Sequence, residues 1–450
     1  MALVAVDAAG AVGLLRQWVG GEASAPHEEE RWEGKTGMVV GGVAPSGTAV
    51  PLCFLMSDVG TDWWGSGEWL LPQGEAGEAG EAGEAGEAGE AGGVSLLWGA
   101  ASSGLDAVAA ELRGRGLPDP VALLRSPRDR WEAGAAASAA ESHSALFGLH
   151  VALLSAWREL GVVPDAVTSF SMGEPSGAVA CGALSETAAA AVMAAMTRCV
   201  TAAEGAGGML AVIGLPAEEL AAQAALQDGV EVGAVFGRAG GALTGSLEGI
   251  AAAEARLNVD ERVKVVLRPP VIKAPYHSAA FEPMQQTFRE ELAAALEPAS
   301  RSPGDVVPWF TSIDGGHTAD PVASAGSADF WYTGLRAPAL SQRATEAALD
   351  AGYRLFLELN GSPFYCIHPV GDEMVERDLI GPSRPQHSGE GQTAQGDTEI
   401  CGLALCTIRR DVSEVPASAQ MLGALCRLWV AGAAVDWRKL NTTITSTLPR

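Results

Sequence analysis

Ala166-Val-Thr-Ser-Phe-Ser-Met-Gly-Glu174 is the stretch on which the fold turns. Val167 and Thr168 are β-branched and favour an extended strand. Ser169 to Gly173 are small or polar enough for a tight turn, and an alanine-rich run continues as helix to about Thr201. Strand, tight turn, helix is the unit from which α/β layers are built. Upstream, apolar residues at 146, 149, 153, 157 and 160 repeat with the helical period, which predicts a buried-face helix over 142–160. Gly161-Val-Val-Pro164 ends it. Further upstream, Leu52-Cys-Phe-Leu-Met56 reads as a compact apolar strand running into Asp58-Val59-Gly60.

Downstream the rhythm changes. Strands are expected at Met209–Ile213, Val230–Phe236, Ala242–Ser246 and Arg262–Leu267, with helices at Pro216–Leu226 and Leu247–Leu257. The order βαββαβ is the ferredoxin-like pattern, here inserted into the larger layer. Strands at Val306–Ile313, Tyr353–Leu359 and Ile400–Ile408, and a helix at Ala417–Val430, return the chain to that layer. Residues 1–48 are a linker or a fragment of a preceding unit. The large subdomain takes 49–207 and 269–437, the small one 208–268, and 438–450 form a tail. Within the first part, Gly74 to Ala91 are six Gly-Glu-Ala triplets inside a low-complexity insertion over 74–93. Glycine at every third place costs a helix about 1 kcal/mol each and the glutamates repel, so a solvated surface segment is expected.

The 450 residues carry 29 Lys+Arg against 55 Asp+Glu, a net charge of −26, with 48% hydrophobic and 19% charged residues. Such a chain buries a core, which excludes wholly disordered and coiled-coil classes. The acidic balance argues against non-specific nucleic-acid binding and against a polybasic membrane-surface protein. Cysteines at 53, 181, 199, 366, 401, 406 and 426 follow no framework spacing and read as reduced thiols. Cys401 and Cys406 lack a second Cys/His pair nearby, so no metal is expected. Met1 to Asp7 has no cationic start, and no uncharged apolar run reaches about 18 residues, so neither a signal peptide nor a membrane span is expected. A soluble, cytoplasmic protein is the expectation.

Ser171 is the candidate nucleophile. A serine on a strained strand-to-helix turn, flanked two places away by small residues, here Ser169 and Gly173, resembles a nucleophile elbow. The turn exposes Oγ, aims the N–H of Met172 at a reacting carbonyl, and sets the serine at the positive end of a helix. An ordinary strand-to-helix turn rich in serine is the competing reading. The base must come from His27, His143, His150, His277, His317, His368 or His387, and any one of these taken alone is as readily a surface or core residue. His277 stands out by position, in Lys273-Ala-Pro-Tyr-His-Ser278, where the insert rejoins the larger layer. A second oxyanion donor is expected from the turn after the first strand, near Val59.

These residues carry a family resemblance. The chain resembles the acyltransferase domain of polyketide and fatty-acid synthases, related to malonyl-CoA:acyl-carrier-protein transacylases. Phe54 to Gly67 sits where that family has its first strand and GQGxQWxGMG segment, and Ser169-Phe-Ser-Met-Gly-Glu174 matches GHSxGE. Pro275-Tyr-His-Ser278 is similar to the AFHS-type segment, and Phe356-Leu-Glu-Leu-Asn-Gly-Ser-Pro363 to FxEIGPHP. Ile408-Arg-Arg410 and Leu428 to Trp437 resemble the closing segments, so the likeness runs in order over roughly 50–437. It implies an α/β fold, a large α/β-hydrolase-like subdomain with an inserted small ferredoxin-like subdomain. It implies ping-pong transfer: Ser171 attacks an acyl-CoA thioester with His277 as general base, and Met172 and Val59 N–H groups hold the oxyanion. The phosphopantetheine thiol of an acyl carrier protein then takes the acyl group. A backbone carbonyl orients the histidine in this family, and no bound cofactor is implied. The linker-like start and the Trp437 closing segment suit a domain within a larger synthase with neighbouring domains.

The departures bear on substrate. Val59 stands where the family has Gln, in a role played by the backbone N–H. Phe170 replaces the His before the nucleophile, as a packing neighbour, and His143 stands where a Gln faces the pocket. Met196, 25 residues after Ser171, replaces the Arg that pairs with the free carboxylate of malonyl-type extender units. Arg198 lies about 200° further round the helix and cannot substitute. A carboxylate buried without a partner costs several kcal/mol, so a neutral starter acyl group is expected. Tyr276 lies in an Ala-Pro-Tyr-His tetrad that matches neither the malonyl nor the methylmalonyl signature. Arg262, Lys264, Arg268 and Lys273 form a basic stretch, read either as a solvated face or as a contact for CoA phosphates or an acidic carrier. The alternatives are an extender-unit acyltransferase, a serine thioesterase, and a catalytically silent scaffold domain.

Overall fold

The computed structural model describes residues 2–4, 37–39, 49–59, 91–126, 137–296, 305–365, 370, 373–374, 377, 403–407 and 417–436. Gly74–Glu90 of the Gly-Glu-Ala repeat, the Gly60–Gly67 segment, the polar loop 382–398, Ile408–Arg410, Trp437 and the 438–450 tail lie outside the described residues, as do His27, His368 and His387; Ala91–Gly93, expected in the low-complexity insertion, open the helix that follows.

Strands β1 (Ala2–Val4) and β2 (Gly37–Val39) pair antiparallel. β3 (Leu52–Met56) is buried at every position. It is followed by α1 (Ala91–Gly114), α2 (Pro120–Leu124) and α3 (Ala139–Glu159). Local chemistry sets the start of α3. The Ser138 hydroxyl accepts from Glu141 N–H while the Glu141 carboxylate accepts from Ser138 N–H, a reciprocal capping box. Then come β4 (Ala166–Ser169), one turn of tighter helix, α4 (Glu174–Ala180) and α5 (Glu186–Ala202). The alanine-rich run is thus two helices rather than one. Gly182 breaks it at φ +86°, and Ser185 restarts it by accepting from Ala188 N–H.

The insert comprises β5 (Gly208–Ile213), α6 (Ala217–Ala225), β6 (Val230–Gly237), β7 (Gly240–Gly245), α7 (Leu247–Leu257) and β8 (Val265–Leu267). Its antiparallel sheet runs β6-β7-β5-β8, the ferredoxin-like order. Leu210, Leu220, Leu243, Ile250 and Leu257 form a core of its own beside the main one.

Past the insert come α8 (Gln285–Leu296), β9 (Trp309–Thr311), β10 (Gly316–His317), α9 (Pro321–Ala325), α10 (Ala328–Arg336) and α11 (Ser341–Asp350). β11 (Leu355–Glu358), β12 (Leu403–Cys406) and α12 (Ala417–Val430) follow. The single strand expected over Val306–Ile313 is shorter. The chain turns after Thr311, with Gly315 at φ +65°, and comes back as β10.

The large sheet runs β10-β9-β4-β3-β11-β12, all parallel except β10. Its strand β3 reads as a continuous apolar run because helices cover such a sheet on both faces. Met56 of β3 stands opposite Ser169 of β4, so the segments leaving both strands emerge side by side. Loops at the carboxyl ends of adjacent parallel strands are where such sheets build their sites. The insert is tied to this layer by backbone bonds from Val235 N–H to Ala339 O and from Ala339 N–H to Gly233 O, both 2.9 Å. Ion pairs Arg336–Glu231 and Arg238–Glu373 add to the seam.

Candidate active site

The turn after β4 holds Ser171 at φ +48°, in the left-handed region. Close approach permits it: a Cβ on Gly173 would lie 2.4 Å from Ser57 O and 2.5 Å from Met56 O, and one on Gly177 would lie 2.7 Å from the Ser169 side chain. Ser171 Oγ lies 2.8 Å from His277 Nε2. His277 Nδ1 lies 2.9 Å from the carbonyl oxygen of Ala337. A carbonyl only accepts, so the proton sits on Nδ1 and Nε2 faces the serine hydroxyl as an acceptor. Ala337 closes the C-terminal end of α10, the negative end of its dipole, which favours the imidazolium that forms when Nε2 takes a proton. His277 itself holds φ +57°. Burial lowers its pKa to about 4, against bonds to the Ala337 and Gly334 carbonyls that raise it, so the ring is neutral and ready as a base at neutral pH.

Of the two N–H groups singled out in the sequence, that of Met172 follows Ser171 in the elbow and that of Val59 lies on the segment leaving β3. Val59 N–H donates to Asp58 Oδ1 at 2.5 Å. Loss of solvent pushes the Asp58 pKa up to about 7, against the lowering effect of the nearby Val59 and Met172 N–H groups.

Beneath the turn, buried Glu174 acts as a peg. It accepts from Ser312 N–H and Ser312 Oγ at 2.7 Å each, and from the Ser169 hydroxyl. Ser169 Oγ in turn accepts from Trp309 Nε1 at 2.7 Å, and Ser312 Oγ accepts from Ser171 N–H at 3.1 Å. Burial pushes the Glu174 pKa up to about 7, opposed by its bonds to Ser169 and Ser312.

His143 of α3 is fully enclosed, with Nδ1 at 2.9 Å from Thr197 Oγ1 and Nε2 at 2.8 Å from Tyr276 Oη. Thr197 gives its hydroxyl proton to Met193 O, so the chain of donors runs from Tyr276 through His143 to Thr197. Burial lowers the pKa of His143 to about 3 and raises that of Tyr276, so both stay neutral. Met196 is buried in α5 next to Thr197. Arg198 pairs with Glu291 at the surface. Phe170 is buried against Phe236 and Tyr365.

Of the basic stretch, Arg262 pairs with Asp260 and Glu219, and Arg268 with Glu254. Arg268 and Lys273 line a cavity of about 530 Å³ floored by Met209, Leu247 and Ile250, and Lys264 is exposed. The sequence reading left Asp58, Ser312, Thr197 and Ala337 without roles. The acid in Met-Gly-Glu174, directly after an elbow, was the one local signal for the Glu174 network.

An α/β layer with a ferredoxin-like insert and a serine elbow at the carboxyl edge of the sheet defines a class of acyl-transferring domains. The acyl transferase domain family matches residues 122–389, and the chain belongs to that family. Polyketide synthase GfsA of Streptomyces halstedii is 32% identical over 300 residues, which are 66% of this chain and 4% of that protein. Erythronolide synthase EryA2 of Saccharopolyspora erythraea is 33% identical over 298 residues, 65% of this chain and 7% of that one. The chain therefore spans a small fraction of these curated relatives. The acyltransferase domain from the second module of the salinomycin polyketide synthase shares the fold with a TM-score of 0.67 at 21% identity, covering 100% of this chain and 87% of that one. The loading acyltransferase of the avermectin synthase superposes with a TM-score of 0.61 at 20% identity, covering 84% and 99%. Among the described residues no helix is long and apolar enough to cross a membrane.

Proposed function

We propose that this domain carries a neutral acyl group from acyl-CoA to the phosphopantetheine thiol of an acyl carrier protein by way of an acyl-Ser171 ester. The observation that carries the reading is the Ser171 Oγ–His277 Nε2 distance of 2.8 Å with the imidazole proton fixed on Nδ1. His277 Nε2 takes the Ser171 proton as Oγ bonds to the thioester carbon. The carbonyl oxygen becomes an oxyanion held by Met172 and Val59 N–H. The C–S bond then breaks, and the CoA thiolate leaves with the proton from His277. In the second half His277 takes the carrier thiol's proton, the thiolate attacks the ester, and Ser171 recovers its proton. The α4 end of the elbow and the C-terminal end of α10 bracket the charges that separate in each step.

Met196 supports the neutral acyl group, since it offers a buried apolar side chain where a malonyl carboxylate would need a cation, and Arg198 is engaged with Glu291. His143, Tyr276 and Phe170 would complete the pocket wall. Lys264, Lys273, Arg262 and Arg268 would meet CoA phosphates or the carrier. The subdomain limits proposed are 49–207 with 269–437, and 208–268 for the insert. A CoA-bound donor is the support for a cytoplasmic reaction.

Intact-protein mass after brief exposure to acetyl-, hexanoyl-, palmitoyl- and malonyl-CoA tests this. The expected result is an adduct from a neutral acyl-CoA that is absent in Ser171→Ala and forms about 10²–10⁴-fold more slowly in His277→Ala. A dominant malonyl adduct overturns the substrate class. Rapid release of free acid without carrier identifies a thioesterase, and an unlabelled wild-type protein identifies a silent domain.

A further inference from the structure

Ser312 follows β9 and is held through every polar atom it has. β9 pairs with β4 so that Thr311 stands opposite Ser169, which brings Ser312 beside the elbow. Its N–H donates to Glu174 Oε1 at 2.7 Å, and its carbonyl oxygen accepts from Leu340 N–H at 2.8 Å. Its hydroxyl oxygen lies 2.7 Å from the same Glu174 oxygen and 3.1 Å from Ser171 N. An N–H can only donate, so the hydroxyl accepts from Ser171 and gives its single proton to Glu174. Glu174 is fixed in turn, because its other oxygen accepts from Ser169, whose Oγ accepts from Trp309 Nε1. Ser312 and Glu174 are both 1% exposed, so water does not compete for these bonds. Leu340 belongs to the segment that also carries Ala337, whose carbonyl oxygen orients His277. One buried residue thus joins the support of the serine to the support of its base.

We propose that Ser312 is a positioning residue for acyl transfer: its hydroxyl, aimed by Glu174, holds the Ser171 backbone in the left-handed turn and keeps Oγ in line with His277. This rests on Ser171 being the residue that is acylated. At φ +48° a serine sits in a sparsely populated region and relaxes unless its surroundings retain it. The bond from its own N–H to Ser312 is the restraint nearest the strained torsion. Because Ser312 is fixed at N–H, carbonyl and hydroxyl, the acceptor it presents is already oriented before substrate arrives. A displacement of about 1 Å at Oγ is enough to slow attack on a thioester by about a hundredfold. Ser312 acts through Ser171 from within the core, so its effect falls on the limiting rate of acylation rather than on binding of the CoA moiety. The same bond occupies the Ser171 N–H, which leaves the oxyanion to other donors.

The test measures the limiting rate and half-saturating concentration for labelling by hexanoyl-CoA, and separately the rate with a fluorophosphonate, with the label mapped to Ser171. Wild type is compared with Ser312→Ala, Ser312→Cys and Ser312→Thr; Ser171→Ala serves as the blank and thermal melting as the control for folding. Threonine keeps the hydroxyl, cysteine keeps the size with a sulfur that accepts weakly, and alanine removes the acceptor. The expected limiting rate is about 10–100-fold lower in Ser312→Ala and recovers to within about threefold of wild type in Ser312→Thr, with half-saturation constant within about twofold. Ser312→Cys lies between, and the fluorophosphonate rates follow the same order. A folded Ser312→Ala labelled as fast as wild type overturns the proposal, as does a loss confined to half-saturation. A Ser312→Thr that melts like wild type yet loses as much rate as Ser312→Ala overturns it too. Should Ser312→Ala fail to fold, Ser312→Cys decides by the same criterion. If hexanoyl-CoA labels none of the proteins while the fluorophosphonate labels Ser171, acyl transfer from CoA fails, and the fluorophosphonate rates alone decide on Ser312. Absence of labelling by both reagents overturns both.

Discussion

Ser171 and His277 hold φ of +48° and +57°, where a side chain collides with its own backbone. Each such residue stores on the order of 1–3 kcal/mol, and the surroundings must hold it there. For Ser171 the restraint is the bond from its N–H to Ser312, which Glu174 anchors in turn. Replacing Ser171 with Gly or with Ala removes the same hydroxyl, but only glycine accepts the backbone without strain. Ser171→Gly is expected to be about 1 kcal/mol more stable than Ser171→Ala in chemical denaturation, reversing the order seen at ordinary helical positions. At this scale the sequence was readable where function is local. A serine between small residues and a histidine after a proline-tyrosine pair announce themselves within six residues. Ser312 does not, because its partner Ser171 lies 141 positions away and is brought close only by the pairing of β4 with β9.

The elbow as an element depends on contact between backbones. Gly173 is packed against the carbonyls of Met56 and Ser57, which are backbone atoms and cannot swing aside. Gly173→Ala is expected to push the elbow off β3, lowering stability by about 2–4 kcal/mol and labelling of Ser171 by at least about tenfold. Thermal melting and fluorophosphonate labelling measure the two effects, and an alanine variant of full activity would refute the contact. Elements with a long apolar period were legible in advance: α3, the βαββαβ insert and α12. The split between α4 and α5 was hidden because alanine supports helix everywhere, and the break is a single glycine at φ +86°. The short helices α9, α10 and α11 were missed since five to ten residues give too few turns for a period to emerge. The turn after β9 was concealed because Ile313, past Thr311 and Ser312, lets the whole stretch read as one strand.

At the scale of the whole molecule, two cores meet along a seam of hydrogen bonds rather than merging. Edge strand β6 bonds to the segment around Ala339, and the buried hydroxyl of Ser341 donates to Val235 O at 3.0 Å. Ala337, which fixes the tautomer of His277, lies two residues before that seam. Ser341→Ala removes one tie and is expected to cost about 1–2 kcal/mol in stability. It is also expected to slow acylation of Ser171 by about threefold to tenfold as the imidazole loses alignment, with hexanoyl-CoA labelling and melting measured on the same preparation. Unaltered kinetics beside a lowered melting point would mean that the seam carries the fold alone. The family's architecture was visible in the sequence because its motifs fall in order along the chain. The seam was not, since backbone bonds between distant segments leave no mark on side-chain identity.

That seam sets a rule for anyone who would transplant one subdomain between related proteins. A cut at the ends of β5 and β8 looks clean on the chain, yet it would leave Gly233 and Val235 of the donor facing a foreign stretch at Ala337 to Ser341. The carbonyl that aims the imidazole would then be seated by a mismatched neighbour. A working graft has to carry both pieces, the 208–268 block and the five residues from Ala337 to Ser341, although 68 residues lie between the end of one and the start of the other.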